Sequence, residues 1–198
     1  MNLPNKLTVS RAVMTPLFLA AMLITALPFN YTIALILFIA ASLTDLFDGK
    51  IARKRGLVTT FGKFLDPIAD KMLTTAALLG FMVILPSSCL RIQFAVITFI
   101  TMFREFTVAS VRLIAVSSEK KTVIPANIWG KLKTVSQMAS IIFGLFAYSV
   151  KDFICLNCTV ERIALVIFAL LSWIAALLGV VSGCIYCLGS KDLIDPSK

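Results

Sequence analysis

The sequence contains no histidine. That absence removes Ser-His-Asp catalysis, phosphohistidine transfer and every histidine-ligated metal site at once. Charge is scarce too: charged residues make up 15% of the 198-residue chain against 59% hydrophobic, and mean hydropathy is +0.96. A soluble domain carries about 25% charged residues, so the composition excludes that class and points to a membrane protein. Acids are the scarcer charge, 10 Asp and Glu against 19 Lys and Arg. Of five cysteines, Cys155 with Cys158 and Cys184 with Cys187 have CxxC spacing. A four-thiolate zinc site needs both pairs together, and one helix over 160–188 would hold them about 39 Å apart at its fixed rise. Cys184 and Cys187 are therefore expected to be apolar packing residues. Cys155 and Cys158 are expected to face outward as a thiol pair, open to a disulfide in an oxidising compartment.

What the chain does have is long apolar runs joined by short polar segments, at 12–27, 31–47, 69–86, 92–117, 134–150 and 160–188. Each is near or above the length a bilayer requires. The expected fold is an all-α integral membrane bundle of six transmembrane helices, a single domain over residues 1–198. The first run follows Lys6 and Arg11 like a signal peptide, but it lacks a small-x-small exit and five further spans follow it. Cytoplasmic joints retain Lys and Arg. Alternating the spans from an inside N-terminus gathers Lys50, Arg53, Lys54, Arg55, Lys63, Lys120, Lys121, Lys131, Lys133, Lys191 and Lys198 on one side, against Arg91, Lys151 and Arg162. Both termini are thus expected in the cytoplasm, in a multi-pass protein of the cell membrane. The basic excess suits anionic headgroups and phosphate ligands, whereas its confinement to short joints argues against nucleic acid as a partner.

The few acids cluster. Asp45 and Asp48 share a helix face at i+3, and Asp66 and Asp70 share one at i+4. A short connector with Gly56 and the Thr59-Thr60 pair is expected to keep the two helices as antiparallel neighbours. Asp66-Pro67 resembles a helix start, which would place each aspartate near a helix end. Carboxylates this close push one another toward protonation unless cations share the site. Oxygen-only ligands favour a hard ion, Mg2+ or Mn2+, and two such ions together suit a phosphoryl displacement. The alternative is an interfacial belt in which these acids pair with Lys50, Arg53, Lys54, Arg55 and Lys71. Gly49, Ala52 and Gly62 keep the surroundings small, for a ligand or for helix packing. Arg53 beside them can fork onto a phosphate.

The run Asp45-x-x-Asp48-Gly49-x-x-Ala52-Arg53, then eight residues, then Gly62-x-x-x-Asp66-x-x-x-Asp70, resembles throughout the signature of the CDP-alcohol phosphatidyltransferases. The resemblance implies a six-helix membrane fold, often a homodimer, whose two-metal site opens to the cytoplasm. It implies attack of an alcohol on the β-phosphorus of a CDP-linked donor, with CMP leaving. It further implies that Asp45, Asp48, Asp66 and Asp70 hold the metals and that Asp70 is also the catalytic base. Gly49, Ala52, Arg53 and Gly62 would lie around CDP-diacylglycerol.

Softer motifs concern the acceptor. The opening NLPNKLTVSR is similar to that of the phosphatidylglycerophosphate synthase branch, which would bring Asn5, Thr8 and Arg11 to the CDP headgroup. The alternative is an interfacial helix start with Leu3, Leu7 and Val9 toward lipid. In FREFTVASVRL, Arg104 and Arg112 lie on roughly one helix side, about 12 Å apart. They need an anion or Glu105, a structural ion pair being the competing account. Lys131 and Lys133 in GKLKTVSQ are either an ordinary basic collar or further acceptor ligands. The resemblance implies that Arg104, Arg112, Lys131 and Lys133 bind the phosphate of glycerol 3-phosphate. Sibling acceptors, giving cardiolipin, phosphatidylserine or phosphatidylinositol phosphate, compete with it. A divalent-cation transporter is the alternative of another class, and it would spread acids through the membrane depth instead of gathering them at one mouth.

Overall fold

The apolar runs become helices whose ends fall beside prolines, asparagines and glycines. The computed structural model describes residues 3–55, 60–117, 128–154 and 157–189. They form six helices: α1 Leu3–Leu23, α2 Asn30–Arg55, α3 Thr60–Ile84, α4 Ser88–Ser117, α5 Ile128–Lys151 and α6 Cys158–Leu188. No strand occurs among the described residues. Pro28 and Pro86 lie just ahead of α2 and α4, and Gly189 closes α6 with its N–H on the Ile185 carbonyl at 3.0 Å. The first turn of α2 has N–H groups with no partner in the helix. Asp152, after α5, accepts from the Thr32 N–H at 2.8 Å and from Thr32 Oγ1 at 2.7 Å. This cap ties the end of α5 to the start of α2.

Around the bundle the helices pack in the order α1, α2, α5, α6, α4, α3 and back to α1. Every helix sends at least one fully buried large side chain to the centre, among them Phe18, Phe38, Phe81, Phe94, Leu145 and Phe168. The Phe168 ring lies 4.5 Å from that of Phe81 and 4.8 Å from that of Phe94. Its place depends on Gly144, where an added Cβ would stand 2.5 Å from the Phe168 ring. Gly144→Ala should therefore destabilise the bundle by about 1–3 kcal/mol through overpacking. Thermal unfolding in detergent checks this, and an unchanged Tm would contradict it.

The surface is more apolar than a soluble bundle tolerates. Val13, Ile36, Val83, Phe99, Phe103 and Leu170 point outward, while Ser140 and Ser172 bond each other at 2.7 Å in the interior. On α6 the inward face between Phe168 and Tyr186 is small: Ala169, Ser172, Ala175, Ala176, Gly179, Ser182 and Gly183. Small residues inside and large apolar ones outside are the packing of helices in lipid. Two helical stretches, Ser88–Val111 and Cys158–Leu188, are long and apolar enough to cross a membrane.

The structure corrects several expectations. α1 begins at Leu3, far ahead of the apolar run, because the polar opening is itself helical. α3 begins at Thr60, not at Asp66-Pro67. Gly62, Asp66 ahead of a proline, and Pro67 itself all disfavour a helix here, yet the helix continues through them, as membrane helices tolerate where neighbouring groups re-satisfy the backbone. The aspartates are consequently two to three turns inside their helices, not at the ends. Among the described residues α2 and α3 make few contacts with each other, while α1 packs against both. Cys184 is exposed, not a packing residue, because the helical period turns Ser182, Gly183 and Tyr186 inward and Cys184 away. Cys187 is half-buried against Val108 and Val111. Residues 160–188 do lie in one helix, which keeps the CxxC pairs apart, and Cys158 is exposed. Cys155, like Gly56 and Thr59 of the connector and the basic residues Lys120, Lys121, Lys191 and Lys198, lies outside the described residues.

Candidate active site

Counted from the joint between α2 and α3, the acids fall in two matched pairs. Asp48 stands seven residues before the end of α2 and Asp66 six residues after the start of α3. Asp45 and Asp70 each stand ten residues from those same ends. Measured along the helices from the joint, the inner pair lies about 10 Å deep and the outer pair about 15 Å. The side chains of these four residues, and those of Asn5, Gly49, Ala52, Arg53, Gly62 and Arg112, lie outside the described residues. Among the described residues no group of three or more His, Cys, Asp and Glu gathers for a metal. Four carboxylates at matched heights, with no nitrogen or sulfur ligand type in the motif, fit a hard divalent pair.

α1 contributes to the same end. Thr8 and Arg11 are about 1% exposed, and Thr15 one turn on is also buried. An interfacial helix start would turn these polar groups to water, so the inward face of α1 belongs to the protein interior. Leu7 and Val9 are only half-buried.

The second feature is a cationic cluster built from four helices. Glu105 on α4 receives Lys133 Nζ of α5 on Oε1 at 2.6 Å and Arg104 Nη1 on the same oxygen at 2.9 Å. Its Oε2 lies 3.7 Å from Lys71 Nζ of α3. Arg104 Nη2 donates to Ser182 Oγ of α6 at 2.9 Å. The ion pair that competes with a ligand role at Glu105 does form, but one carboxylate serves three cations. Within this cluster the cations exceed the carboxylate by two charges. The cluster and two of the acids share α3, where Lys71 directly follows Asp70.

Of the residues singled out for the acceptor, the structure unites Arg104 and Lys133. Lys131 is exposed, on the side of α5 away from buried Lys133, as a spacing of two on a helix requires. Arg112 lies two turns beyond Arg104 on α4. Sequence reasoning missed Lys71 and Glu105 as members of this site, reading the first as belt and the second as a mere counter-ion. Ser182 carried no signal. Beside the cluster, a groove of about 720 Å3 runs between α1, α3 and α4, lined by Pro16, Leu19, Met72, Leu79, Met102 and Phe106, with Lys71 and Glu105 as its charged groups.

The profile of CDP-alcohol phosphatidyltransferases matches residues 1–181. The chain belongs to that family. Among its relatives, a Bacillus subtilis protein named CDP-diacylglycerol–glycerol-3-phosphate 3-phosphatidyltransferase is 37% identical over 193 residues, covering 92% of this chain and 91% of its own. A Rickettsia bellii protein of the same name is 35% identical over 189 residues, 93% of each chain. One from Yersinia enterocolitica, also so named, is 34% identical over 145 residues, 72% of this chain and 75% of its own. The phosphatidyltransferase is a membrane protein, as its apolar outer surface and its family both require. Its family signature occupies α2 and α3 at the matched depths given by the four aspartates.

Proposed function

We propose that this phosphatidyltransferase moves the phosphatidyl group of CDP-diacylglycerol to sn-glycerol 3-phosphate, giving phosphatidylglycerol phosphate and CMP. The observation that carries the acceptor assignment is the cluster of Lys71, Arg104 and Lys133 on Glu105. An excess of cations over carboxylate, partly withdrawn from water and next to the aspartate helices, suits a phosphate dianion. Serine would leave it unneutralised, while inositol phosphate, which carries the same phosphate group, is told apart by CMP release with each acceptor. The names of the relatives agree with this choice.

In this reading Asn5, Thr8 and Arg11 of α1, with Gly49, Ala52 and Arg53 of α2 and Gly62 of α3, surround the cytidine diphosphate. Arg104, Lys133 and Arg112 hold the acceptor phosphate, and Lys131 fits the basic collar at the membrane surface. Asp45, Asp48, Asp66 and Asp70 hold two Mg2+ or Mn2+ ions, which when bound neutralise the donor diphosphate. Asp70 takes the proton of the acceptor hydroxyl as its oxygen attacks the β-phosphorus. The bond from that phosphorus to the bridging oxygen breaks, and the electron pair leaves with CMP. Positioning and charge neutralisation, not covalent catalysis, carry such a transfer. The protein works as a homodimer in the cell membrane, with six spans and with both termini and the site on the cytoplasmic side, as the placement of Lys and Arg supports.

Purified protein in mixed micelles with CDP-diacylglycerol and Mg2+ should release CMP on addition of glycerol 3-phosphate, and EDTA should stop it. The same assay with phosphatidylglycerol, serine and inositol phosphate completes the test. Release only with one of these three would reassign the acceptor. Metal uptake into proteoliposomes without CMP release would favour a transporter.

A further inference from the structure

Glu105 presents a conflict. By charge alone, a carboxylate inside a phosphate site weakens it, since like charges in a poorly screened place repel strongly. Yet Glu105 is the residue on which the site converges, with Lys133 at 2.6 Å, Arg104 at 2.9 Å and Lys71 at 3.7 Å. Three ammonium and guanidinium groups from three helices would otherwise drive one another apart.

The far side of Arg104 is held as deliberately. Its Nη2 donates to Ser182 Oγ at 2.9 Å, and Ser182 is itself 2% exposed. Its stem lies against Gly183, where an added Cβ would come within 3.1 Å of Arg104 Cγ. Lys133 passes Gly179 in the same way, with its Cγ 3.5 Å from where a Cβ would stand. Glu105 and Ser182 together take two of the five N–H groups of Arg104. Its Nε–H is buried and has no partner among the described residues. A guanidinium clamped on two sides, with a buried donor left over, is prepared for an anion that accepts from several N–H groups at once.

We propose that Glu105 and Ser182 are positioning residues for the acceptor, fixing Arg104 and Lys133 so that the two cations converge on one phosphate. Glu105 sets the spacing between the two cations and Ser182 sets the plane of the guanidinium. This rests on the reading of the acceptor as a phosphate monoester.

The charge argument and the positioning argument predict opposite signs for Glu105→Gln. Removing a negative charge should lower KM for glycerol 3-phosphate if Glu105 acts by charge alone. If it positions, KM should rise roughly 10-fold, the loss of charge-assisted hydrogen bonds outweighing the gain in net charge. Ser182→Ala should raise the same KM about 5-fold, the net worth of one ordinary hydrogen bond, since the guanidinium keeps its charge and its bond to Glu105. In both variants kcat and KM for CDP-diacylglycerol should stay within about 2-fold, whereas general loosening of the bundle would move all three. Ser182→Thr, which keeps the hydroxyl, should fall between Ser182→Ala and wild type. Titration of glycerol 3-phosphate into purified protein, read as Kd without turnover, should rank the variants in the same order. Should Glu105→Gln not fold, Ser182→Ala decides, since it removes a single oxygen. Unchanged or lower KM in the folded variants overturns the proposal while wild type still uses glycerol 3-phosphate. A wild-type protein that neither binds nor uses glycerol 3-phosphate overturns the acceptor reading and this proposal together.

Discussion

Asp70→Asn should lower kcat for CMP release by about a thousandfold or more, the upper part of the range for losing a general base. Asparagine has nearly the same shape, so the helical backbone of α3, which runs well beyond this residue on both sides, should be retained. Thermal unfolding in detergent should accordingly be close to that of wild type. Two roles are proposed for Asp70, metal ligand and base, and the variant can separate them. A defect confined to metal affinity would be repaired by raising Mg2+, because mass action compensates a weaker site. A missing base would not be repaired at any Mg2+ concentration. Near-normal activity at saturating Mg2+ would remove Asp70 as the base and leave it as a ligand only.

The second large effect concerns Arg104. Arg104→Ala should raise KM for glycerol 3-phosphate roughly 100-fold, because charge-assisted hydrogen bonds in a partly dry site are lost with the guanidinium. KM for CDP-diacylglycerol should change far less. Arg104→Lys should recover part of the loss, retaining the charge but not the planar fork. The Ser182 contact at 2.9 Å and the Glu105 contact at 2.9 Å both depend on that fork, so lysine cannot reproduce them together. A larger effect on CDP-diacylglycerol than on glycerol 3-phosphate would show that Arg104 belongs to the donor pocket.

Much of the fold is legible in the amino-acid sequence, and the legible parts share a cause. The six helices follow from runs of apolar residues, a local property, and their order and number hold. The placement of Asp45 and Asp48 on one helix and Asp66 and Asp70 on the next also needs only local spacing. Boundaries are less legible. α3 extends two turns ahead of the proline that resembles its start, because in a membrane bundle the surroundings override local signals such as Gly62 and Asp66-Pro67. The exposure of Cys184 shows the same limit: a residue's type suggests burial, but its angle around α6 decides against it.

The site shows the division most clearly. Arg104 and Lys133 stand out because buried cations in an apolar chain need a reason. Glu105 stands out only as a counter-ion to an arginine, and Lys71 and Ser182 do not stand out as partners, since Lys133 lies 28 residues and Ser182 lies 78 residues from the group it bonds on α4. The sequence by itself determined an apolar six-helix chain with four carboxylates in the family's register, because composition, helical period and motif spacing are written within a few turns. The tertiary structure alone decided that α1 packs against both α2 and α3, and that three cations share one carboxylate beside the small face of α6. Those outcomes depend on which side chains leave room at long-range contacts, and a helical period does not specify its neighbour.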